Sequence, residues 1–218
     1  MARFSYLKSV AVVFFAAVCA YAGAWLFPSL SGLRPLLPVT AAAESSIGLE
    51  GIALRHELAL APGGGTSFLP GEGERVPAAS FLWRDEGGES FISGKSSVYM
   101  AGCDGFETLS PPEEEKLDMA QLLDFMNFTP DENPAPARLV EGFHWYYAAL
   151  APANTPQLAM GSHYLKFEGF EEYTKALLVS REVSSDGQAL LFRLKLGDPA
   201  YLKLRKCRAE LLLPDPVT

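Results

Sequence analysis

Eighteen consecutive residues, Val10 to Phe27, carry no charge. A helix of that length spans about 27 Å at ~1.5 Å per residue, close to the ~30 Å apolar core of a bilayer. Beyond it the period shortens. Ile52, Leu54, His56 and Leu58 alternate with Ala53, Arg55, Glu57 and Ala59, which predicts a half-buried strand within Gly48 to Leu60. Ser67 to Leu69, Arg75 to Ala79, Phe81 to Trp83 and Ser97 to Ala101 read as further short strands. Gly/Pro turns separate them at Pro62 to Gly65, Pro70 to Gly73 and Asp85 to Gly88. Short strands at such regular spacing imply an all-β sandwich or barrel.

The period lengthens once. Met119, Leu122, Leu123 and Met126 fall on one helical face, and Ser110-Pro111-Pro112-Glu113 has the spacing of a capping box. The pattern predicts a helix over 111–128 lying on the sheet. Residues 129–137 (TPDENPAPA) read as a linker. A second β unit then starts at Arg138. Its strands are Leu139 to Val140, Trp145 to Leu150, His163 to Phe167, Lys175 to Val183 and Ala189 to Leu194, with a hairpin turn at Ser185-Asp186-Gly187. A short helix is expected from Asn154 or Thr155 to near Gly161, and one long alternating strand from Leu202 to Leu213. The expected fold is mainly β. Its order is a cytoplasmic tail (1–9), a transmembrane helix (10–27), a stalk (28–46), a β domain (47–110), an amphipathic helix (111–128), a linker (129–137) and a small β-barrel (138–214).

Charge sets the orientation. Arg3 and Lys8 precede the apolar run and no acid does, so the N-terminus is expected in the cytoplasm and the rest outside it, held at the cell membrane by its own single-pass helix. A cleaved export signal is the competing reading. Its apolar region would be shorter, and the small-x-small triplets Ala20-Tyr21-Ala22 and Ala22-Gly23-Ala24 lie inside the run, so an uncleaved anchor is expected. The exported part carries a net −10, sixteen bases against twenty-six acids. That balance repels a polyanion, so no nucleic-acid partner is expected.

Catalytic chemistry is hard to find. His56, His144 and His163 have no second histidine or cysteine at zinc-ligand spacing. There is no G-x-S-x-G elbow, and Pro62 to Gly65 lacks the lysine and helix of a phosphate cradle. Neither an enzyme, nor a cofactor, nor a metal site is expected. Cys103 and Cys207 allow one disulfide or two separate half-buried thiols; two cysteines make no spacing pattern, and separate thiols are the reading adopted. The residues offered for partner contact are Trp145, Tyr146, Tyr147 and Leu122, each of which ordinary core packing would also explain.

Three segments carry a family resemblance: Leu49 to Glu57, Gly73 to Ala78 and Ala101 to Glu107. Together they resemble the split lipoyl-type half-motifs of HlyD-like membrane fusion proteins, the periplasmic adaptor subunits, in their Gram-positive form. Leu139 to Ala149, Gln157 to Gly161 and His163 to Phe167 are similar to the opening of the adaptor β-barrel. The resemblance implies a lipoyl-like β-sandwich over 47–110 and an adaptor-type barrel over 138–214. It also implies a non-enzymatic accessory role in an efflux, export or envelope complex, with a transporter or envelope partner and possible homo-oligomers. One departure is clear. Adaptors insert a helical coiled-coil hairpin where this chain has only the glycine-rich Arg84 to Ser96. Two other readings remain open: a binding module for a small molecule or cell-wall polymer, with an exposed aromatic cleft at Trp83 or Trp145, and a hydrolase in which the histidines converge with a carboxylate.

Overall fold

A computed structural model describes residues 45–213, apart from 62–65, 68–69, 85 and 133–134. The expected tail, transmembrane helix and nearly all of the stalk lie outside the described residues. Six antiparallel strands close a barrel. They are β1 (Ser46–Leu54), β9 (His144–Ala151), β10 (Gly161–Phe167), β11 (Thr174–Ser184), β12 (Gly187–Lys195) and β13 (Lys206–Leu212), in the order β1-β13-β10-β11-β12-β9. Alternation along each stave fills the interior. Trp145, Tyr147, Leu165, Phe167, Phe192 and Leu211 are buried together there, with Trp145 and Phe167 ring centroids 5.3 Å apart.

The opposite face of the same staves is also buried. Ile52, Leu54, Ala148, Ala189 and Leu191 meet Leu117 and Leu122. Leu122 belongs to helix α1 (Met119–Asn127), which covers this side. Burial on both faces explains why Trp145 to Leu150 reads as an almost continuous apolar run. Gly51 allows the tightest contact. The Tyr147 ring crosses it so that its hydroxyl donates to the Cys207 carbonyl at 3.0 Å, and a Cβ on Gly51 would lie 2.3 Å from the Ala148 carbonyl oxygen. Gly51→Ala is therefore expected to lower stability by about 1–3 kcal/mol through overpacking. Thermal unfolding of the variant checks this, with Gly48→Ala as the neutral control because nothing lies within 4 Å of a Cβ there.

A second group of strands lies beside the barrel. β2 (Glu57–Leu60), β8 (Ala137–Glu141), β7 (Ser97–Ala101) and β4 (Arg75–Val76) form one sheet in that order. β3 (Thr66–Ser67), β5 (Phe81–Arg84) and β6 (Ser90–Ile92) form another. Val98, Met100 and Val140 point into the barrel's core, while Tyr99, Ala137 and Leu139 share a core with Leu60, Val76 and Leu82. The four-stranded sheet is thus buried on both sides.

Topology corrects the expected domain boundaries. β1 falls in the stretch assigned to the first β domain, yet it is a barrel stave between β9 and β13. β8 falls in the stretch assigned to the barrel, yet it pairs with β2 and β7. The single strand expected over Gly48 to Leu60 breaks at Arg55-His56, where the chain leaves the barrel for the sheet. The helix is also shorter than expected. Residues 111–118 form an irregular strap, and Glu115 adopts a left-handed φ of 52°. The capping box is Asp118 with Gln121, one motif further along than Ser110-Pro111-Pro112-Glu113.

Two further expectations fail for local reasons. No helix forms between Asn154 and Gly161, because side chains take the carbonyls a helix would use. Gln188 Nε2 donates to Thr155 O at 2.7 Å, Arg181 donates to Leu158 O, and His163 Nε2 lies 2.7 Å from Ala159 O. The long strand expected from Leu202 is a 3₁₀ turn over Pro199–Lys203 followed by β13. Asp198 caps that turn, accepting from the Ala200 amide at 2.8 Å.

Candidate functional site

Six charged side chains gather where the chain passes between barrel and sheet. Arg55 follows β1, Glu57 opens β2, Asp104 and Glu107 lie in the turn after β7, Arg138 is on β8, and Arg205 precedes β13. The Arg55 side chain is 0% exposed and that of Glu57 1%. Arg205 Nη2 reaches Glu57 Oε2 at 2.5 Å, and its Nε reaches Asp104 Oδ2 at 2.7 Å. Arg138 Nη1 lies 3.1 Å from Glu107 Oε1. Arg55 Nη1 lies 3.4 Å from Glu57 Oε1, while its Nη2 donates to the Leu204 and Tyr201 carbonyls at 2.5 and 2.9 Å. Apart from the Arg55–Glu57 contact, each bond joins segments at least thirty residues apart in the chain.

Three guanidiniums face three carboxylates, so the cluster is neutral. That balance decides its chemistry. Glu57, Asp104 and Glu107 are the only described trio of potential metal ligands, with oxygens within 4.8 Å of one another. Their charge is already met by Arg55, Arg138 and Arg205, and a divalent cation would have to displace them. The cluster is a clasp between barrel and sheet.

Burial shapes its titration. It lowers the Arg55 pKa to about 10, helped by the nearby Arg205 charge and opposed by Glu57. Burial works against ionising Asp104, but the hydrogen bond and charge of Arg205, then Arg138, outweigh it and hold that carboxyl below its ordinary range. A depressed acid contributes stability that is present above its unfolded pKa and is lost as pH falls through its folded one. Asp104 should therefore weaken the fold below about pH 4, and Asp104→Asn should flatten that limb of a stability-versus-pH curve. Urea unfolding across the acid range checks it; an unchanged acid slope in the variant would count against the clasp.

A smaller clamp fixes the strap onto the barrel wall. Tyr146 Oη donates to Glu115 Oε1 at 2.7 Å, and Arg193 Nη1 donates to the same oxygen at 2.8 Å. Burial, then the Glu115 hydrogen bond, pushes the Tyr146 phenol up to about 12.

An open groove of about 600 Å³ lies against β1, β10 and β13. Leu49, Leu150, Pro152, Phe167 and Phe170 supply its apolar lining. Its origin is local. β13 follows β1 out to Ser46, but β9 pairs with β1 only from Glu50 onward. β9 ends at Ala151, before Pro152, which has no N–H to continue the ladder.

The residues offered for partner contact do not make a surface. Trp145 and Tyr147 fill the barrel and are 1% and 0% exposed, and Leu122 is 0% exposed on the inward face of α1. Their burial corrects that expectation: alternation on β9 turns both aromatics inward. Only Tyr146 reaches the outside, half-buried in its clamp. The cleft expected around Trp145 is absent for the same reason, and Trp83 lies stacked on Phe91 at 4.0 Å. No histidine joins a ligand cluster among the described residues. Cys103 and Cys207 are free, and burial raises their thiols to about 11 and about 12. The clasp and the groove were not anticipated. A charged residue inside an alternating strand, as with Arg55 and Glu57, was the one available signal. Comparison with known family models, curated proteins and solved structures finds no match.

Proposed function

We propose that the chain is a membrane-anchored, extracytoplasmic adaptor-like protein that works by contact, as an accessory subunit of an export or envelope complex. One observation carries the non-enzymatic part of the reading. The six-membered cluster of ionisable groups is neutral, buried apart from the partly exposed Asp104, and engaged in holding barrel to sheet. Groups committed in this way do not serve as general acid or base. The closed six-stranded barrel is also consistent with the adaptor resemblance. Where adaptors carry a coiled-coil hairpin, this chain has the short β5–β6 hairpin, with Phe81 paired to Ile92 across it and Ile92 53% exposed. A shortened tip fits a partner within the same membrane better than one across a wide envelope.

Affinity capture of the full chain from solubilised membranes tests the role. The expected result is one membrane-transport subunit recovered in fixed stoichiometry and lost when Ile92→Lys is introduced at the hairpin. Recovery of the chain alone under every growth condition would overturn it.

A further inference from the structure

The groove has a chemistry the contact role does not use. Leu49 and Phe167 close its base at 1% exposure each, and the half-buried Leu150 and Phe170 with the exposed Pro152 supply its apolar surface, Phe170 being stacked on Tyr201 with centroids 4.3 Å apart. Its volume of about 600 Å³ falls in the range of small-molecule sites. Five charged residues border it. Arg208 is taken by Glu50 at 2.9 Å, and the Lys166 ammonium lies over the Tyr173 ring, 6.0 Å from its centroid. Glu168 and Glu210 line the groove with no ion pair among the described residues. Glu171 and Glu172 follow Phe170 in the next loop and add negative charge.

We propose that this groove binds an amphipathic organic cation. The apolar body lies on Leu150, Pro152 and Phe170, and the cationic group meets Glu168 and Glu210. An apolar lining with three carboxylates against two bases at its rim, Lys166 standing directly across from Glu210, leaves a net negative charge that selects such a ligand over an anion of the same shape. Gly48 opens the entrance, since a Cβ at that position would meet nothing within 4 Å. The proposal stands apart from the contact role, and either can fail alone.

The test is calorimetric titration of the full chain in lipid nanodiscs, with empty nanodiscs subtracted. The probes are 6-phenylhexylammonium and 6-phenylhexanoate, which share an apolar body and differ in charge. The ammonium should bind saturably, and the carboxylate about tenfold or more weakly. Gly48→Trp, which projects into the groove, should abolish binding while leaving the unfolding temperature near wild type. Glu168→Gln with Glu210→Gln should weaken the ammonium about tenfold and erase the preference between probes. These two carboxylates are exposed, so the double variant carries the test if Gly48→Trp does not fold. Equal binding of both probes, binding that survives the loss of both carboxylates, or no saturable signal above empty nanodiscs would overturn the proposal.

Discussion

Glu57→Gln is expected to destabilise the fold by about 3–5 kcal/mol, the largest effect of any single polar substitution proposed. Glu57 is 1% exposed and touches all three guanidiniums of the clasp, at 2.5 Å to Arg205, 3.4 Å to Arg55 and 3.7 Å to Arg138. Removing its charge leaves three buried or half-buried cations against two acids. Arg55 suffers most, because it has no access to water and its Nε has no hydrogen-bond partner. At this chain length each kcal/mol moves the melting temperature by ~2–4 °C, so the drop should be on the order of 10 °C. Removing both ions tests the mechanism further. Arg55→Met with Glu57→Met should cost less than the two single changes added together, because no unpaired charge stays behind. Strict additivity would mean that the two residues act independently.

Trp145→Ala is expected to cost about 3–5 kcal/mol, the usual range for deleting a large buried aromatic. Its ring lies against Phe167 at 5.3 Å and Tyr201 at 5.9 Å, and it is among the largest fully buried side chains. Urea unfolding of the variant checks the figure. Met160→Ala, at a side chain 54% exposed, should stay within about 0.5 kcal/mol of wild type. A Trp145→Ala protein of unchanged stability would contradict the filled barrel and return Trp145 to the surface.

Strand content was legible in the sequence because alternation and Gly/Pro punctuation are local signals. The hairpin at Asp186-Gly187 is the clearest case: β11 and β12 meet at Ser184 and Gly187. The partition into units was not legible. Pairing of β1 with β13 joins Ser46 to Leu212, and no local pattern encodes a contact across that separation. Helix limits shifted because Ser110-Pro111-Pro112-Glu113 and Asp118 with Gln121 are both acceptable starts. Burial of Leu117 and the bonds to Glu115 select the second. The site was harder still. Asp104, Glu107 and Arg205 look like ordinary surface charges until the fold brings them together, and the groove depends on where β9 stops. Trp145 and Tyr147 show the converse error: conspicuous aromatics in a strand suggest contact, but their register turns them inward.

The arrangement proposed here is a contact module held outside the cytoplasm by an uncut N-terminal helix. Protease treatment of membrane vesicles of known sidedness, with the released and retained pieces weighed by mass spectrometry, decides between this arrangement and its alternatives. The expected result is a full-length chain that stays with the membrane until protease on the extracytoplasmic side cuts within residues 28–44 and frees an intact β domain. A soluble chain already trimmed at its N-terminus, or a domain cleaved only from the cytoplasmic side, would contradict it.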